Sequence, residues 1–135
     1  MATRTFVLTT EVPGDVERVV DFLAALDRHR GLHPFLESAV VVRDEPPVRE
    51  WAVVEKPGFY RIRFRAVLRR VSPTELHSEV RVPPGVRLDI RVTVSGTTLT
   101  ETTSVRAPWP LVGYVTRSAR LAHARTLRRL REQLS

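Results

Sequence analysis

Hydrophobic and polar positions alternate with a period of two along most of this chain and switch to a helical period in only two places. Residues 3–12 alternate through Phe6, Leu8, Thr10 and Val12, which predicts a first strand. Pro13-Gly14-Asp15 breaks it. Asp15 is placed to cap a helix over 15–28, where Val16, Val19, Val20, Leu23 and Leu26 recur at helical spacing. Gly31 and Pro34 stop that helix or turn it into a second short one. From position 37 the period returns to two. Strands over 37–44, 48–55, 60–71, 75–82, 86–95 and 98–107 are separated by Pro47, Pro57-Gly58, Ser72-Pro73, Pro83-Pro84-Gly85 and Gly96. Links this short favour an antiparallel meander.

The last segment, from Pro110 to about 134, reads as one long helix with proline at a first-turn position. Val112, Val115, Ala119, Ala122, Thr126, Leu127, Leu130 and Leu134 form an apolar stripe, and Arg117, Arg120, Arg125, Arg128 and Arg131 lie mostly opposite. His123 sits near the middle of the stripe.

Parity predicts the pairing of neighbouring strands. Tyr60, Ile62, Phe64, Ala66 and Leu68 share one face, and Arg61, Arg63, Arg65 and Arg69 take the other. Opposing Arg69 to Glu75 and Arg65 to Glu79 matches both faces and pairs opposite charges on the outer one. In the last hairpin, pairing Val94 with Leu99 puts Val92 opposite Glu101 and Leu88 opposite Val105. Glu101 then stands on the inner face among Leu99, Thr103, Val105 and Ala107. The strand around Trp51 stays open, because either Trp51/Val53 or Ala52/Val54 can face inward.

Composition changes this picture little. With 135 residues, 42% of them hydrophobic, the chain suits a single domain over 1–135. It has no cysteine, which excludes disulfides and thiolate chemistry. The N-terminus alternates and soon meets charge, unlike the apolar core of a signal peptide, and no run approaches the roughly 18 residues of a membrane span. The expectation is a soluble cytoplasmic protein, monomer or homodimer. A net charge of +7 raises nucleic acid and anionic membranes as partners. Lys56 is the single lysine among 22 basic residues, a ratio that reads as coding bias. The arginines do not alternate with exposed aromatics as a base-stacking platform requires, so no specific nucleic acid is expected.

Strand, helix pair, six-strand meander and long helix, in that order, resemble the helix-grip fold of the START, Bet v 1 and polyketide-cyclase superfamily, often labelled SRPBCC. The resemblance spans essentially the whole chain. Its marks are PGDVERVVDFLAAL, the GLHPF turn, and GTTLTETTSVRAP running into AHARTLRRLREQL. It implies an α+β fold in which a curved antiparallel sheet of about seven strands wraps the C-terminal helix around an internal apolar cavity. Members bind lipids, sterols, hormones or polyketides, and some are aromatases or cyclases. The implied ligand is a small hydrophobic molecule, and no metal or cofactor is implied. Residues placed to line such a cavity are Tyr60, Phe64, Glu101, Thr103, Trp109, Ala119 and His123. Tyr60 and Phe64 are core in any fold; Trp109 and Tyr114 either close the cavity mouth or anchor the helix.

Glu101 and His123 are also the candidates for chemistry. From Glu101 to Pro108 the strand runs seven residues, roughly 23 Å at about 3.3 Å each. From Trp109 to His123 the helix runs fourteen, roughly 21 Å at about 1.5 Å each. Folded back, the two side chains reach the same depth. A buried carboxylate requires such a partner. The pair is then a structural tie between helix and sheet, a polar contact for a ligand, or an acid/base pair for enolisation or dehydration. His29 and His33 are four apart and with Glu101 and His123 could make a metal site, but Gly31 and Pro34 disrupt the helix it needs.

Overall fold

In the computed structural model, which describes residues 1–134, seven strands form one antiparallel sheet. They are β1 (Ala2–Glu11), β2 (Leu36–Glu45), β3 (Val48–Glu55), β4 (Ile62–Ser72), β5 (Glu75–Val82), β6 (Val86–Ser95) and β7 (Thr98–Ala107). Their order across the sheet is β1-β7-β6-β5-β4-β3-β2, so the meander closes with β1 beside β7. Between β1 and β2 lie helix α1 (Val16–Ala24) and a short 3-10 helix (Leu26–His29); the chain ends in helix α2 (Trp109–Leu134). This is the expected α+β arrangement of a curved seven-stranded sheet and a long C-terminal helix.

The last hairpin pairs as parity required, with Val94 opposite Leu99, Val92 opposite Glu101 and Leu88 opposite Val105. The β4–β5 hairpin does not. Its register is shifted by two residues: Arg69 faces His77 and Arg65 faces Arg81, in place of Glu75 and Glu79. The cause is a tight turn. Ser72 pairs with Glu75 across Pro73-Thr74, the Ser72 hydroxyl accepts the Thr74 N–H at 3.2 Å, and a bulge between Arg70 and Ser72 takes up the spare residue. A two-residue shift keeps every side chain on its face. It does redirect the charges, and Arg65 instead meets Glu50 of β3 at 3.0 Å.

The helix expected over 15–28 comes as two pieces. Asp15 caps α1 by accepting the Arg18 N–H at 3.2 Å. The chain leaves helical geometry at Ala25 and winds into the 3-10 turn, which brings His29 under α1. There His29 Nε2–H donates to the Phe22 carbonyl at 2.9 Å, as a second donor beside the Ala25 N–H at 3.2 Å, and its ring stacks on Phe22. Phe22, outside the apolar stripe read from sequence, is thereby buried.

The interior has two unequal parts. At one end Val19, Val20, Phe22 and Leu23 of α1 and Leu127, Leu130 and Leu134 of α2 pack with Trp51, Val53, Leu68, Leu76, Val92, Val94 and Leu99. This packing settles the β3 parity, since Trp51 and Val53 are both inside. At the other end Phe6, Leu88 and Val105 form a smaller buried apolar cluster, with Val80, Val86, Ile90, Val115 and Ala119 partly buried around it, and Ala107 and Val112 are also buried. Helix α2 rests chiefly on β1 and β7. The inner faces of β4, β5 and β6 across from it carry Phe64, Val80 and Ile90, none fully buried.

Candidate functional site

Two periodicities and one chain reversal decide where Glu101 and His123 lie. β7 turns Glu101 inward with Leu99, Thr103, Val105 and Ala107; α2 then folds back over β1 and β7. His123 Nδ1 comes to 3.0 Å from Glu101 Oε2, with 14% of the histidine side chain and 11% of the glutamate side chain still accessible. The His123 ring also meets Phe6 of β1 edge-on.

Because the carboxylate only accepts, Nδ1 of His123 carries the hydrogen of this bond. Burial alone would strip the imidazolium of its proton. The charge and hydrogen bond of Glu101, helped by the charge of Glu55, outweigh it and raise the pKa of His123 above the ordinary histidine value. Its Nε2 has no hydrogen-bond partner among the described residues. That nitrogen is free to donate a hydrogen bond or proton when the ring is charged and to accept one when it is neutral.

A second pair lies beside the first. His33, on the loop between the 3-10 helix and β2, has its ring 6.3 Å from that of His123, and its Nε2 is 3.5 Å from Glu55 Oε2 at the end of β3. The Phe35 N–H donates to His33 Nδ1 at 3.2 Å, so the neutral ring carries its hydrogen on Nε2, toward Glu55. Burial, and then the positive charges of His123 and His29, lower the pKa of His33 to about 3. Burial raises that of Glu55 to about 7, with His123 pulling the other way. Although near enough to be an ion pair, His33 is a neutral imidazole at neutral pH, and burial holds the Glu55 carboxyl back from ionising. The His33 loop is held from α2, where Arg129 Nη1 donates to the carbonyls of Gly31 and Leu32 at 3.1 and 3.2 Å.

The other sequence candidates divide. Phe64 faces inward and is partly buried, and Ala119 packs beside the smaller apolar group. Thr103 is completely buried, and its hydroxyl has no partner among the described residues. It meets a ligand only if the surrounding wall opens. Tyr60 is not core: β4 begins at Ile62, and Tyr60 lies in the preceding bend, 47% exposed and edge-on to the fully exposed Phe59. Pro57 and Gly58 keep this segment out of the ladder. Trp109 and Tyr114 lie on the exposed side of α2.

His29 is turned away to its carbonyl, so the four-residue metal set does not assemble, and no group of three or more His, Cys, Asp or Glu able to hold a metal ion is found among the described residues. No helix is long and apolar enough to cross a membrane. Two surface cavities, of about 390 and 400 Å³, flank α1 around Asp21, and the linings of both omit Glu101 and His123.

Sequence reasoning missed Glu55 and undervalued His33. The signal for Glu55 was the undecided parity of β3, because a strand that turns Trp51 and Val53 inward turns Glu55 inward too.

No protein-family model matches the sequence. No curated protein matches it either. Solved structures do. Over 98% of this chain it superposes on half of the di-domain ARO/CYC StfQ from the steffimycin biosynthetic pathway, at 14% identity and a TM-score of 0.80. This chain thus spans about half the length of that protein. It is similar over 99% of its length to 97% of the Zhui aromatase/cyclase from a Streptomyces species, at 10% identity and a TM-score of 0.73. A START superfamily protein from Mycobacterium smegmatis matches 97% of this chain with 99% of its own, at 11% identity and a TM-score of 0.74. The fold is therefore the helix-grip fold of the START-like proteins.

Proposed function

We propose that this protein binds a small hydrophobic molecule, lipid-like or polyketide-like, between the sheet and the N-terminal half of α2, with Glu101 and His123 as the polar contact. One observation carries the reading: a bonded carboxylate and imidazole, both still partly accessible, stand between a tightly packed apolar core and a loosely covered apolar surface. A pair serving only to pin helix to sheet gains nothing from that access, whereas a pocket with few, placed polar groups uses it. The exposed aromatics favour an entrance at one end. The β3–β4 link with Phe59 and Tyr60, the β5–β6 link at 83–85 and the start of α2 at Trp109 follow strand ends on the same side of the antiparallel sheet. The comparison with a START superfamily protein supports the same reading.

The second reading is an aromatase/cyclase-type enzyme, favoured by the free Nε2 of a histidine whose other nitrogen is held by a carboxylate, and by the similarity to proteins described as aromatase/cyclases. It needs no metal or cofactor. A third, a basic module for a macromolecular partner, loses ground because several arginines are already engaged, among them Arg61 with Glu37, Arg65 with Glu50 and Arg87 with Asp89. We keep the cytoplasm as the site of action.

Native mass spectrometry of the purified protein, with titration of the neutral dye nile red, tests the leading reading. About one equivalent of bound dye and a raised Tm are expected. Absence of saturable binding leaves the partner-binding reading. Turnover of a polyketide-like substrate, abolished in Glu101→Gln and His123→Gln but not by loss of fold, would place the enzyme first.

A further inference from the structure

We propose, resting on that binding reading, that the site selects an uncharged apolar molecule bearing a hydroxyl or carbonyl oxygen and rejects the carboxylate of a free fatty acid, with His123 Nε2 meeting the oxygen and Glu55 imposing the exclusion.

The argument is one of the charges gathered around His123. Four ionisable side chains lie there, all partly accessible: Glu101 and His123 as one pair, and His33 and Glu55, 18% and 21% exposed, as the other, with the two imidazole rings 6.3 Å apart. The His123 imidazolium is already neutralised by Glu101 at 3.0 Å, so it offers an entering anion no unspent charge. Its Nε2 is nevertheless unpartnered and can donate to a neutral oxygen. His33 adds no positive charge, because its Nδ1 is taken by the Phe35 N–H and its proton-bearing Nε2 points to Glu55.

Glu55 is the group left short. Its contact to His33 at 3.5 Å is long, and its neighbours across the sheet, Leu36 on β2 and Ile62 on β4, are apolar. The titratable groups that face it from packed elements are His33 on the loop and His123 on α2, with Glu101 beyond His123. A second carboxylate brought into this space adds a like charge beside a carboxyl already reluctant to ionise, so it enters only with a proton. A hydroxyl accepts from His123 and donates toward Glu55, and a carbonyl accepts from His123; neither requires a proton from solvent. An ammonium group is drawn toward Glu55, but it has only donors and offers His123 Nε2 no oxygen to donate to. The surface of the protein is strongly basic, with a net charge of +7, so the discrimination against carboxylates runs opposite to what the overall charge would select.

Three probes with one chain length separate the possibilities: 1-decanol, sodium decanoate and decylammonium chloride, each used to displace nile red from the intact protein. At pH 8 decanol should displace the dye at roughly tenfold lower concentration than decanoate, and more readily than decylammonium. Between pH 8 and pH 6, over which decanoate itself stays ionised, its affinity should rise up to about tenfold as Glu55 takes up a proton, while that of decanol stays level. In Glu55→Gln, decanoate should approach decanol and lose its pH dependence. Decanoate or decylammonium binding as tightly as decanol at pH 8, or a decanoate affinity indifferent to pH, overturns this inference and leaves the binding reading standing. If neither nile red nor any probe binds, the binding reading fails and takes the inference with it. The wild-type comparison decides by itself should Glu55→Gln not fold.

Discussion

His123 Nδ1 stands 3.0 Å from Glu101 Oε2, and this bond joins the middle of α2 to the middle of β7. Removing one partner leaves the other buried and unpaired. Glu101→Ala should therefore destabilise by about 2–4 kcal/mol, and Glu101→Gln, which can still accept the Nδ1 hydrogen, by about 1 kcal/mol. Urea denaturation measures both. If the pair serves a ligand, Glu101→Gln should lose binding or turnover out of proportion to its stability. An Ala variant as stable as wild type would remove the pair from any account of the fold.

The two parts of the interior should answer truncation differently. Leu130 is completely buried in the packed end, so Leu130→Ala should cost about 3–4 kcal/mol. Val80, partly buried at the loosely covered end, should cost about 1 kcal/mol or less on truncation to Ala. Equal losses would mean that both ends are packed alike.

Histidine NMR titration should separate three rings in one molecule. His33 should stay neutral, with its hydrogen on Nε2, until about pH 3. His29 should also protonate below the ordinary range, because burial outweighs the help of the Phe22 carbonyl and Asp27. His123 should keep its proton above that range. An imidazolium signal from His33 at pH 6 would contradict its placement against His123.

Glu55 makes stability depend on pH in a direction unusual for a carboxyl group. Its folded pKa, about 7, lies above the ordinary glutamate value of 4.5, so between these the native state holds more proton than the unfolded one. The contribution is full below about pH 4.5 and is lost as pH rises through about 7. Relative to wild type, Glu55→Gln should thus gain stability across that interval, by about 1–3 kcal/mol at pH 8. His33, lowered to about 3 from 6.5, works the other way: wild-type stability should rise with pH from about 3 to 6.5, and His33→Gln should flatten that limb. Chemical denaturation of the three proteins from pH 4 to pH 8 resolves the two slopes.

The basic surface should bind duplex DNA weakly and without sequence preference, losing affinity steeply as salt rises. Filter binding with two unrelated duplexes at physiological salt checks this. Tight binding to one of them alone would bring the macromolecular partner forward.

Order and period were enough to read the architecture, because each strand has one apolar face and short links leave few ways to join them. They were also enough to bring Glu101 and His123 together, since strand parity, helix phase and two path lengths all pointed to the same depth. What was hidden depended on a turn or a contact. The β4–β5 register follows from how Ser72, Pro73 and Thr74 close the hairpin, and alternation cannot count turn residues. Tyr60 kept the right parity but stands beyond the strand, since Pro57-Gly58 delays β4 until Ile62. The break at Ala25 shows no preference in its own residue; His29 docking on the Phe22 carbonyl accompanies it, and that contact is tertiary. Glu55 belonged to a strand with two plausible faces, and only the packing of Trp51 and Val53 chose between them.

Helix α2 works as a beam resting on two supports. Val112 bears it at one end, and Ala122, Leu127, Leu130 and Leu134 bear it at the other. Between them Val115 and Ala119 span the loosely covered surface without being clamped by it. Bulk added or removed at those two positions changes the clearance beneath the span while leaving both supports in place. The clearance under the span is thereby adjustable independently of the residues that keep the chain folded and of the contact between His123 and Glu101.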